Sequence, residues 1–78
     1  MKTIITDHAK KRMLDYNVSI DLVNNTLNYP DNILDTYGKR NIYQKKLNGH
    51  VLRLVVEESE EIRIVVTVYK ARSGRYEI

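Results

Sequence analysis

"VLRLVVEESEEIRIVVTVYK" (residues 51–70) is the stretch on which the reading of this chain turns. Its two halves alternate apolar with polar residues and are rich in Val, Ile, Thr and Tyr, which predicts two strands joined through the acidic "EESEE" (57–61). Just upstream, "KLNGHV" (46–51) carries Asn48-Gly49, the signature of a two-residue type I′ turn with positive φ at both positions. That turn would pair Leu47 with His50, and therefore Tyr43 with Leu54 and Gln44 with Arg53. Further back, "NILDTY" (32–37) and "NIYQKKL" (41–47) read as two more strands, separated by "GKR".

Register decides which side chains share a face. Setting Leu52, Leu54 and Val56 beside Ile62, Ile64, Val66 and Val68 makes one face continuously apolar, and helices are expected to cover it. The other face then carries Gln44, Lys46, Arg53, Arg63, Thr67 and Tyr69, an expected working surface.

Two helices are expected before the strands. Thr6 or Asp7 can cap the first, with Ala9, Met13 and Tyr16 on its apolar stripe and Asn17 in the left-handed position that closes it. Ser19 caps the second, with Val18 and Val23 spaced as a hydrophobic staple. Ile20, Val23 and Leu27 form its stripe, and Pro30 ends it. The predicted architecture is α+β: two N-terminal helices packed on one face of a four-stranded antiparallel sheet, as a single domain over residues 1–78.

Composition narrows the function classes. Seventy-eight residues allow one small core, and the lack of cysteine excludes disulfides and thiolate metal sites. Two histidines without clustered carboxylates argue against a protein-built metal centre, and no cofactor is expected. No apolar run has the length of a membrane span or signal peptide, so the expected location is cytoplasmic. The formal charge of +3 becomes +7 when the four glutamates of "EESEE" are set aside. An acidic tip on a basic body favours a polyanionic partner.

Lys70, Arg72 and Arg75 follow the last strand, bracketed by Tyr69 and Tyr76. Cations can hold a phosphate backbone and aromatic faces can stack on unpaired bases; the same residues could equally form a solvated tail. His8 falls in the first turn of the first helix with Arg12 one turn on. An imidazole is the side chain suited to exchanging protons near neutral pH, and a guanidinium there could clamp phosphate. At this spacing an ordinary surface pair is the competing interpretation. His50 borders a hairpin tip, and Tyr43 falls on the core side.

Taken in order, "HAKKRM" (8–13), "VSIDLVNNTLNYPD" (18–31), "GKRNIY" (38–43) and "VVTVYKARSGRY" (65–76) resemble the domain-of-unknown-function family 4258. That family looks like a branch of the RelE/ParE-like toxin superfamily, of the barnase–EndoU–colicin–RelE type. The resemblance implies helices packed on an antiparallel sheet and a metal-independent endoribonuclease, encoded beside a small antitoxin and acting on RNA, ribosome-bound mRNA included. It implies His8 as acid or base, Arg12 and Arg53 as phosphate ligands, and Thr67 and Tyr69 as the strand pair of the site. Lys46, Arg63, Lys70, Arg72, Arg75 and Tyr76 would bind the RNA. The best-known RelE toxins carry no equivalent histidine in their first helix, so their own catalytic scheme does not transfer. The alternatives are a non-catalytic RNA- or ribosome-binding module and a ParE-like protein inhibitor.

Overall fold

The computed structural model describes residues 1–36 and 38–74. In chain order the elements are β1 (Lys2–Ile5), α1 (Asp7–Asp15), α2 (Ile20–Asn28), β2 (Asn32–Asp35), β3 (Arg40–Leu47), β4 (His50–Glu58) and β5 (Ile62–Arg72). The sheet has five strands in the order β1-β5-β4-β3-β2. β2 to β5 form the expected antiparallel meander, but β1 pairs parallel to β5, Lys2 with Ile62 through Ile5 with Val65. The four-stranded antiparallel expectation is thereby corrected to a five-stranded mixed sheet. "KTII" carries no strand signal of its own, because four residues show no period and its partner lies about sixty positions away.

The helix boundaries follow from side-chain chemistry. The Thr6 hydroxyl accepts from the Ala9 amide at 3.0 Å and opens α1. Asn17, at φ 54°, closes it in a Schellman arrangement. Val18 N–H donates to the Met13 carbonyl at 2.8 Å, and Asn17 N–H to the Leu14 carbonyl at 3.3 Å. Ser19 caps α2 through the Leu22 amide, and Val18 and Val23, the staple pair, are both buried. Within α2 the stripe differs from expectation. Ile20 is exposed, while Thr26 is buried with its hydroxyl donating to the Leu22 carbonyl.

The core joins Ala9, Val18, Val23 and Leu27 to Tyr43, Leu52, Leu54, Val56, Val65 and Val68. Those six sheet residues share one face, and Ile5, Met13 and Tyr16 pack against the cluster. The Asn48-Gly49 hairpin sets the pairing of Leu47 with His50, Tyr43 with Leu54 and Gln44 with Arg53, as expected. Of its two turn residues only Gly49 takes a positive φ, so the turn is not type I′.

The β4–β5 hairpin departs from the simple register. Val55 faces Thr67 but Val56 faces Val65, leaving Val66 as the extra residue of a β-bulge. A bulge reverses the alternation beyond it. Val65 and Arg63 therefore lie on the core face, while Ile64 and Ile62 pass to the opposite face beside Glu57. The expected Ile62–Ile64–Val66–Val68 row is corrected accordingly: Val68 and Val65 line the core, and Ile62 is exposed at the surface.

Candidate active site

The bulge sits where β1 ends and α1 begins, and Thr6 ties them together. Its amide donates to the Val65 carbonyl at 3.2 Å and its hydroxyl to the Val66 carbonyl at 3.0 Å. One hydroxyl thus serves both the helix cap and the bulge. The first turn of α1 is held at the margin of β5, and His8 reaches the face of the sheet opposite the core. There His8 Nε2 lies 3.1 Å from Thr67 Oγ1. The imidazole is exposed, so it can exchange protons with a ligand or with solvent.

Tyr69 follows Thr67 on the same face, about 7 Å along the strand. Arg53 is its direct partner across the β4–β5 ladder, with the guanidinium carbon 5.5 Å from the ring centroid, within cation–π range. One strand further, Gln44 pairs with Arg53, and Asn32 pairs with Gln44. His8, Thr67, Tyr69 and Arg53 thus come from two ends of the chain onto one surface. Arg53 is only 6% exposed and Gln44 is fully buried, so this row is more enclosed than the open polar surface expected from sequence. Neither amide atom of Gln44 has a hydrogen-bond partner. Nothing in the alternation of "IYQKK" marks that residue; the only clue is its fixed pairing with Arg53.

The other candidates separate. Arg12 is exposed and lies 3.5 Å from Asp15, three residues on along α1. Lys46 shares the face of Gln44 and is exposed near the hairpin. Lys70 pairs with Leu52 and Arg72 with His50, so both belong to the core-side face, where the sheet runs out toward the hairpin. Arg63 was expected on the working face and is corrected: the bulge turns it to the core side. There its Nη1 is 3.5 Å from the Leu27 carbonyl, a cation at the C-terminal end of α2. His50 is exposed at the hairpin, its Nδ1 3.4 Å from the Asn48 carbonyl, as expected for a tip residue. Arg75 and Tyr76 lie outside the described residues.

Tyr43 is buried in the core, and its hydroxyl donates to Glu58 Oε1. Burial is the main reason its phenol is held above the usual tyrosine range; the Glu58 carboxylate adds to the rise and Arg63 opposes it. This group lies on the face away from His8. Among the described residues no cluster of His, Cys, Asp or Glu has the makings of a metal site. Among the described residues no helix is long and apolar enough to cross a membrane.

No curated protein and no solved structure matches the chain. A family model, "Domain of unknown function (DUF4258)", matches residues 5–70, a span that begins at the last residue of β1 and takes in His8, Arg53, Thr67 and Tyr69. The chain therefore belongs to the DUF4258 family.

Proposed function

We propose that this protein is a RelE-like, metal-independent endoribonuclease acting in the cytoplasm, with a small antitoxin as its protein partner. The observation that carries the reading is the 3.1 Å contact of His8 with Thr67, on the same strand face as the Tyr69–Arg53 pair. In the reaction, the 2′-oxygen of a ribose attacks the adjacent phosphorus and the bond to the 5′-oxygen breaks, leaving a 2′,3′-cyclic phosphate. His8 takes the 2′-hydroxyl proton at Nδ1, because Nε2 is the nitrogen held against Thr67, and the departing oxygen takes one from water. Thr67 orients the imidazole. Arg53, shielded from solvent, stabilises the charge that builds on the phosphate, and its field is stronger for that shielding. Tyr69 stacks a base.

Lys46 supports the backbone on the same face. Lys70 and Arg72 alternate with Tyr69 along β5, whose margin beyond Val65 carries no further strand among the described residues. A strand of RNA following that margin would meet Thr67 and Tyr69 on one side and the two cations on the other. Arg12, one turn past His8, can exchange its exposed Asp15 partner for phosphate.

The test is cleavage of labelled single-stranded RNA in excess EDTA by wild type and His8→Ala. Wild type should yield a cyclic-phosphate end, and loss of the acid–base group should slow cleavage by about 10²–10⁴-fold. Equal rates would remove His8 from the mechanism. Salt-sensitive binding without cleavage by either protein would replace the enzyme with an RNA-binding module. Absence of binding would favour a ParE-like inhibitor of a protein.

A further inference from the structure

Gln44 carries a full amide at the centre of β3. It is 0% exposed, and neither Oε1 nor Nε2 has a hydrogen-bond partner. An apolar side chain of the same shape would pack there at lower cost, so packing does not explain the residue. Orphaned groups of this kind are rare in folded chains, and functional sites are where they are tolerated. The backbone holds the position firmly, since the Gln44 carbonyl accepts from the Asp31 amide at 2.8 Å.

The surroundings indicate what would supply the missing partners. Asn32, Gln44, Arg53 and Tyr69 form one row across four strands. Gln44 and Tyr69 stand two strand spacings apart, about 9.6 Å. Arg53 lies between them with its guanidinium over the Tyr69 ring, and Lys46 follows Gln44 on the same face of β3. Among the described strand residues of this face the one carboxylate is Glu57, four positions along β4 from Arg53 and directly opposite Arg40. The amide thus has a cation on either side and an aromatic ring one strand beyond, a setting for a phosphate with its base.

We infer that Gln44 is a specificity-determining residue that reads the base stacked on Tyr69, and that this base is adenine. The role presupposes the nuclease reading, which supplies RNA as the substrate. A phosphate draws Arg53 and Lys46, the two long side chains flanking Gln44, toward itself. The Tyr69 ring is then left to a base, and the amide is uncovered at the far end of the row. A purine spans that distance better than a pyrimidine. The amide offers an acceptor beside a donor, the complement of the N6 amino group and N7 of adenine. The same edge of guanine presents two acceptors, O6 and N7, and leaves the amide oxygen facing one of them.

The test measures binding apart from cleavage. Labelled oligouridylates carry adenine, 7-deazaadenine, guanine or uracil at their centre, with 2′-fluoro riboses so that no 2′-oxygen can attack. Each is titrated at low salt against wild type and Gln44→Met, followed by fluorescence anisotropy. Wild type should bind the adenine oligonucleotide about tenfold more tightly than the other three. Gln44→Met should bind all four alike, at the affinity wild type has for uracil. The 7-deaza base removes the N7 acceptor from the ligand side, so the contact is tested even if the substitution disturbs the fold. Equal binding of the four by wild type, or an adenine preference kept by Gln44→Met, would overturn the assignment and leave the nuclease reading standing. Binding of none of them would overturn both.

Discussion

Thr6 is the residue on which the geometry of the candidate site depends most. Its hydroxyl accepts from Ala9 N–H and donates to the Val66 carbonyl, each at 3.0 Å. Thr6→Ala removes an N-cap, worth about 1 kcal/mol, and leaves a partly buried carbonyl without its donor, a further cost of about 1–2 kcal/mol. The expected loss is about 2–3 kcal/mol, or roughly 10–20 °C in Tm for a domain of this size. Two controls separate the contributions. Thr6→Ser keeps both bonds and should stay within about 0.5 kcal/mol of wild type, the scatter of ordinary surface changes. Thr6→Asp is an equally good cap but has no proton to donate, and its carboxylate would face the Val66 carbonyl, so it should lose stability where a simple capping site would not. Urea unfolding of the four proteins, followed by far-UV circular dichroism, measures the differences. If Ala and Asp both fall within about 0.5 kcal/mol of wild type, the hydroxyl does not hold the bulge to the helix and the placement of His8 needs another cause.

Further outcomes are expected elsewhere. Because the Tyr43 phenol is held above its ordinary value of 10.0, the unfolded chain ionises first as pH rises. Both states are protonated at lower pH, where this contribution is fully present; it is lost above about pH 10, through the raised folded value. Comparing unfolding free energies at pH 8 and pH 11, Tyr43→Phe should show a smaller alkaline loss than wild type, and equal losses would contradict the burial of the phenol. Gln44→Met replaces a buried amide whose two polar atoms lack partners, so it should stabilise the fold by about 1–3 kcal/mol in the same urea assay. A destabilised Gln44→Met would mean that the amide is satisfied in solution.

The meander and its register were legible wherever local chemistry dictates geometry. Asn48-Gly49 with the alternation of "NIYQKKL" aligned Gln44 with Arg53, and Ser19, Asn17 and Pro30 marked helix ends through capping and φ preferences alone. Two features were not legible. "KTII" gains its strand identity only from its parallel partner, an interaction that no local pattern encodes. The bulge rests on the adjacent pair Val65-Val66, either of which satisfies the core equally well by hydrophobicity; the choice is made by Thr6 reaching the Val66 carbonyl from across the chain. That one shift moved Arg63 from the expected RNA surface to the end of α2, and brought Ile62 and Ile64 to the surface. His8, Thr67, Tyr69 and Arg53 were each nameable in advance, since their types suit the chemistry. Arg53, Thr67 and Tyr69 already shared a face by register; the arrival of His8 beside them follows from the β1–β5 pairing, which was not legible.

The parallel pair also sets a timetable for synthesis. Thr6 and Val66 are separated by 60 residues, so the contact between them cannot form until Val66 has left the ribosome. At about 5–20 residues per second, the "KTII" segment waits roughly 3–12 s for its partner strand. The two helices and the first hairpins can form in that interval, because they close over short separations. The clasp that holds His8 beside Thr67 cannot. Until β5 docks beside β1 a nascent chain lacks the His8–Thr67 contact, and that delay comes from topology alone.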